Sequence, residues 1–186
     1  MTRRDIPNII SILRILLVLP VVYFLYHGQL GAALALFIVA GLSDAIDGYL
    51  AKRNGWTSAL GAWLDPLADK LLLVSSYLVL GWVGMLPLWL VVAVILRDIV
   101  IVIGALAYRL LIGRVDMAPS VISKVNTFCQ LALVAVLLVA SLIPLLGAAI
   151  TPLIYIVFAT TVLSGMDYVW AWGRKAWRHH HSPSVR

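Results

Sequence analysis

The sequence is 186 residues long, 63% hydrophobic and only 12% charged, with a net charge of +6 at neutral pH and a mean hydropathy of +1.03. A water-soluble domain is about half apolar, so this composition excludes an ordinary soluble protein and points to a bilayer. Its basic residues are dispersed between apolar runs rather than gathered on one polar face, which suits anionic headgroups and argues against nucleic-acid binding. The single cysteine, Cys129, excludes a disulfide framework.

In chain order, apolar runs of about 20 residues, enough to cross a bilayer, lie near 8–27, 30–50, 60–80, 86–108, 120–143 and 149–171. Residues 1–7 are too short for a transit peptide, and the first apolar run lacks a small-residue cleavage site, so it reads as a membrane anchor. The turns at His27–Gln29, Gly81–Gly84 and Pro144–Gly147 carry no Lys or Arg. The opposite ends carry nearly all of them: Arg3, Arg4, Lys52, Arg53, Arg109, Arg114, Lys124, Arg174, Lys175 and Arg178. That alternation predicts an all-α integral membrane protein of six transmembrane helices with both termini cytoplasmic. One domain over residues 1–178 is expected, then a disordered tail over 179–186. Trp82, Trp89, Trp170, Trp172 and Trp177 fall near span ends, as interfacial aromatics do, and His179–His181 reads as a solvated run. Without a targeting segment at the start, a bacterial inner membrane is the expected location.

Every acidic residue is Asp, at positions 5, 44, 47, 65, 69, 98, 116 and 167. A charge inside an apolar span is costly and marks a candidate functional site. At about 100° per residue, Asp44, Asp47, Gly48 and Ala51 share one helical stripe, two carboxylates beside two nearly bare positions. Gly61, Asp65 and Asp69, spaced by four, form a second stripe. A turn near Asn54–Gly55 makes the two helices antiparallel neighbours. Four carboxylates gathered in low dielectric repel one another unless some protonate or cations intervene. All-oxygen ligation suits Mg²⁺ or Mn²⁺, and Mg²⁺ commonly shares its shell with substrate phosphates. The glycines leave room for a bulky ligand. Interhelical pairing with Lys52, Arg53, Lys70 or Arg97 is the structural alternative, and a cation or proton transporter is the functional one.

Asp44-x-x-Asp47-Gly48-x-x-Ala51-Lys52, eight residues, then Gly61-x-x-x-Asp65-x-x-x-Asp69 resembles the motif of the CDP-alcohol phosphatidyltransferases. Seven of its eight specified residues are present at the right spacing; Lys52 stands where the family usually has Arg, which keeps the charge but loses bidentate phosphate geometry. The resemblance implies transfer of phosphatidyl from CDP-diacylglycerol to an alcohol with release of CMP. It implies two divalent ions held by Asp44, Asp47, Asp65 and Asp69, with Asp69 also the general base on the acceptor hydroxyl. Asp44, Gly48, Ala51, Lys52, Gly61 and Asp65 would then bind the CDP-lipid, and the protein is expected to be a homodimer.

Asn8–Arg14 resembles the start shared by the phosphatidylglycerophosphate and cardiolipin synthases of this family, while Arg97–Asp98, Ile122–Thr127 and Gly173–Lys175 resemble the eukaryotic-type, CMP-forming cardiolipin synthases, which take phosphatidylglycerol as acceptor. The alternative within the family is phosphatidylglycerophosphate synthase, which takes sn-glycerol 3-phosphate. Arg14, Arg97, Arg109 and Lys124 are candidates for an acceptor phosphate, since they exceed what CDP alone requires.

Overall fold

The computed structural model describes the backbone of residues 6–54, 61–111 and 120–181, and the side chains of residues 9–44, 46, 64–106 and 120–171. Within these residues every regular element is helical. Six α-helices run in order: α1 (Ile6–Tyr26), α2 (Leu30–Asn54), α3 (Gly61–Trp82), α4 (Leu88–Leu111), α5 (Val121–Ala140) and α6 (Ile150–His181). Each of the six expected spans coincides with one of them.

Among the described residues, four windows, Ile9–Tyr26, Leu88–Leu106, Val121–Ala140 and Pro144–Ala171, are long and apolar enough to cross a membrane. With 25 and 22 residues, α2 and α3 would be about 38 and 33 Å long at 1.5 Å per residue. Among the described side chains of α2 an apolar stretch covers Leu30–Asp44, and α3 carries Asp65, Asp69 and Lys70. These two helices are the ones that bear the motif.

Large apolar side chains face outward: Leu19 is 69% exposed, and Val102 and Trp170 are 65% exposed. Such surface is untenable in water and ordinary against lipid. The protein is therefore an integral membrane protein built from helices.

The turns follow from local chemistry. At the end of α1, Gly28 takes φ +69°, its N–H bonds Leu25 O, and Gln29 N–H bonds Phe24 O. At the end of α3, Gly84 takes φ +79°, with Gly84 N–H on Gly81 O and Met85 N–H on Leu80 O. Both are Schellman endings, in which glycine adopts the left-handed conformation and the following N–H reaches back to satisfy an orphan carbonyl. After α5, Pro144 opens a short 3-10 turn over Pro144–Ala149, where its missing N–H is not needed.

At its other end, α6 continues to His181, three residues into the stretch expected to be unstructured. Pro183 is the first residue beyond Pro152 able to forbid helical continuation.

The chain divides into two compact units. The first comprises residues 1–88 and 134–150. In it α1 packs along both α2 and α3, burying Val21, Leu25, Ala33, Phe37, Leu72 and Tyr77. The second comprises residues 89–133 and 151–186, with Leu90, Val94, Leu133 and Val157 in its core. Polar residues are buried beside them: Arg97, Asp98, Ser123, Asn126, Gln130, Thr161 and Ser164.

Candidate active site

The first unit gathers the aspartates around α1. Ser11 and Arg14, three residues apart on one face of α1, are both buried. The Arg14 Nη1 donates to Asp44 Oδ1 on α2 at 2.6 Å and to Asp69 Oδ1 on α3 at 2.7 Å. Ser11 Oγ donates to Asp65, one turn before Asp69 on α3. One helix thus presents a hydroxyl and a guanidinium to three of the four motif carboxylates.

Burial is unequal across these pairs. The Arg14 side chain is 1% exposed, whereas Asp44 and Asp69 are 46% and 51% exposed. An arginine so deeply buried would be prohibitively desolvated without ionic partners, and the two carboxylates supply them. Their outer sides remain open to approach.

This arrangement fits a cation. Two carboxylate oxygens from different helices already converge on a single positively charged atom, and both are hard donors of the kind that Mg²⁺ and Mn²⁺ select. Among the described residues the convergence is of a pair; no three His, Cys, Asp or Glu side chains gather at one point. The Asp47 side chain, which would extend the set, lies outside the described residues, as do those of Gly48, Ala51 and Lys52 on α2, Gly61 on α3 and Arg109 on α4.

The second unit holds a different cluster. Arg97 on α4 donates from Nη1 to Asp98 at 2.9 Å, from Nε to Ser164 at 3.2 Å and from Nη2 to Ser123 at 2.6 Å. A further Nη2 bond reaches Ser164, and the guanidinium lies 5.8 Å from the Tyr168 ring centre, within cation–π range. One turn along, Asn126 Oδ1 accepts from Thr160 and Thr161, each at 2.9 Å. The matched spacing, Ser123 and Asn126 on α5 against Thr161 and Ser164 on α6, ties those helices twice.

Gly165 lies beside the arginine stem: a β-carbon there would make an ordinary contact with Arg97 Cγ at 3.8 Å. Beside it runs an apolar groove of about 740 Å³, lined by Arg97, Val100, Thr161, Gly165, Met166 and Trp170. Lys124 is exposed and borders a smaller groove of about 350 Å³ with Ser123, Thr127, Phe128 and Leu131.

Of the four cations expected near an acceptor phosphate, Arg14 therefore joins the aspartates and Arg97 joins its own hydroxyl cluster. Lys124 stands at the surface, and Arg109 is not described. Ser11, Ser123, Asn126, Thr160, Thr161 and Ser164 had no assigned role in the sequence. A lone Ser or Thr in an apolar helix satisfies itself on its own backbone, as Ser76 does on Leu72 O at 2.7 Å. Only the repeated spacing of three on α5 and α6 distinguished the paired ones.

The family model for CDP-alcohol phosphatidyltransferase matches residues 4–170. Similar proteins include a cardiolipin synthase (CMP-forming) / mitochondrial hydrolase fusion protein of Schizosaccharomyces pombe, 33% identical over 88% of this chain. A cardiolipin synthase (CMP-forming) of Rattus norvegicus is 32% identical over 91% of the chain. A probable phosphatidylglycerophosphate synthase of Mycobacterium tuberculosis is 31% identical over 89% of this chain and 80% of its own length. The chain spans 30% of the Schizosaccharomyces pombe protein and 62% of the rat protein. With the aspartate motif on α2 and α3 and the match running through all six helices, the chain belongs to the CDP-alcohol phosphatidyltransferase family.

Proposed function

We propose that this protein transfers the phosphatidyl group of CDP-diacylglycerol to the free hydroxyl of phosphatidylglycerol, releasing CMP and forming cardiolipin. The observation that carries the transferase reading is the meeting of Asp44 and Asp69 at one cationic atom, with Asp65 held one turn away. Asp44, Asp47, Asp65 and Asp69 would hold two divalent ions, Mg²⁺ or Mn²⁺, whose charge would neutralise the diphosphate and polarise the phosphorus under attack.

The chain's own residues do the rest. As the family resemblance implies, Gly48, Ala51 and Gly61 would admit the CDP group, and Lys52 would contact its diphosphate. Half-exposed Asp69 takes the proton from the acceptor hydroxyl as that oxygen bonds to the lipid-side phosphorus. The phosphorus–oxygen bond to CMP breaks in line, and CMP leaves with the electron pair. None of the motif's specified positions is a Ser, Cys or His that could form a covalent intermediate, which favours direct displacement.

Lys124 is the described cation best exposed to meet an acceptor phosphate, in a groove that also offers Ser123 and Thr127 hydroxyls. The Lys and Arg distribution favours a site facing the cytoplasm, and homodimerisation is carried over from the family resemblance.

A second reading has its own support. Glycerol 3-phosphate is the acceptor in the name of a Bacillus subtilis relative, a CDP-diacylglycerol–glycerol-3-phosphate 3-phosphatidyltransferase that is 32% identical and matched over 71% of its length. The deciding experiment is a CMP-release assay in liposomes with CDP-diacylglycerol and each acceptor in turn. Release with phosphatidylglycerol alone supports the cardiolipin reading, and release with glycerol 3-phosphate alone overturns it. Absence of CMP with any alcohol, together with metal flux across the liposome, would replace both with transport.

A further inference from the structure

We infer that Arg14 is the built-in counter-cation of the aspartate site: it keeps Asp44 and Asp69 converged without divalent metal and sets how tightly metal is taken. The inference rests on the metal reading above and adds a positioning residue to it.

Asp44 and Asp69 bring two negative charges to one point, and the Arg14 Nη1 meets both at 2.6 and 2.7 Å. The guanidinium enters from the buried side, while both carboxylates are open on the other. A dication arriving from that open side meets a pair already half neutralised. Either the guanidinium withdraws from the carboxylates or the metal binds against its repulsion, and both outcomes weaken the metal. Conversely, with no metal present, removing Arg14 leaves two like charges together without the cation that bridges them. Arg14 therefore trades peak metal affinity for a site that stays assembled when empty.

Burial gives the arrangement its direction. Arg14 comes from α1, which packs on both carboxylate helices, and Ser11 on the same face bonds Asp65. A surface arginine could swing away freely. This one is enclosed, so its charge acts on the site continuously.

The test measures Mn²⁺ binding to the full-length protein in detergent micelles, with neither CDP-lipid nor acceptor, by the loss of the free-ion paramagnetic resonance signal. R14Q is expected to bind Mn²⁺ at least about tenfold more tightly than the wild type, because a repelling unit charge a few ångströms away is gone. R14K keeps the charge and is expected to stay within about threefold of wild type. Metal-free R14Q is expected to melt below the wild type, with the gap closing as Mn²⁺ saturates the site.

Equal or weaker Mn²⁺ binding by R14Q overturns the inference while leaving the metal reading intact, and so does R14K binding as tightly as R14Q. If neither wild type nor R14Q binds Mn²⁺, the metal reading falls and this inference with it. Should R14Q fail to fold, the wild type supplies the answer. Its Arg14 guanidinium ¹⁵N resonance, assigned by its absence from R14K, is expected to shift on adding Mg²⁺, and an unmoved resonance overturns the inference.

Discussion

Arg14 and Arg97 are both buried arginines on apolar helices, 1% and 8% exposed, but they keep different company. Arg14 meets Asp44 and Asp69, both about half open to solvent, with Asp65 nearby on Ser11. Arg97 is enclosed by one acid, Asp98, itself buried, and by the hydroxyls of Ser123 and Ser164. If all these groups are ionised, the first cluster keeps an excess of negative charge and the second is neutral. A cluster with surplus charge on an open side attracts another charged species. A closed neutral cluster holds helices together. The same side chain thus has half-exposed acidic partners in one unit and buried partners in the other.

The contrast can be broken most forcefully at Asp69. D69N is expected to lower CMP release by about 100- to 10,000-fold, the range for loss of a general base, with CDP-diacylglycerol affinity nearly unchanged; single-turnover assays and a lipid-binding titration check this. At Arg97 the expected loss is of stability. R97M leaves Asp98 as a buried charge without its nearest counter-ion and should destabilise by about 3–5 kcal/mol in micelle denaturation. The double variant R97M/D98N should recover most of that, because no orphaned charge remains.

Lys124 sharpens the comparison from the exposed side of the second unit. If it contacts the acceptor phosphate, K124A should raise acceptor KM about ten- to hundredfold, the equivalent of one charge-assisted hydrogen bond, without lowering the melting temperature. The smallest effect is expected at Thr161. T161V keeps the shape and removes one of two hydroxyl donors to Asn126, so a loss of about 1 kcal/mol in stability is expected, with turnover unchanged.

Much of this protein was readable before any coordinates. Six apolar runs became six helices, because backbone groups in a bilayer must be satisfied within the segment and helices do that locally. Gly28 and Gly84 ended two of them where the turn residues lay, since a left-handed residue there favours glycine on steric grounds. The aspartate motif located the candidate site for a similar reason: charges are so disfavoured in apolar helices that their spacing carries information. The extension of α6 to His181 was missed because no apolar periodicity marks a helix once it leaves the membrane-like region.

What the sequence by itself determined, then, was the helical membrane architecture, the family motif and the identity of the carboxylates, all properties of local composition and spacing. Only the tertiary structure decided which cation each acid meets. Arg14 is 30 residues from Asp44 and 55 from Asp69, and no periodicity links residues so far apart. Their meeting depends on α1 packing against two other helices at once. The same holds for Arg97, which is 26 residues from Ser123 and 67 from Ser164. An arginine read from sequence is a charge seeking a partner, and packing determines whether that partner leaves the site open to another ion or closes it.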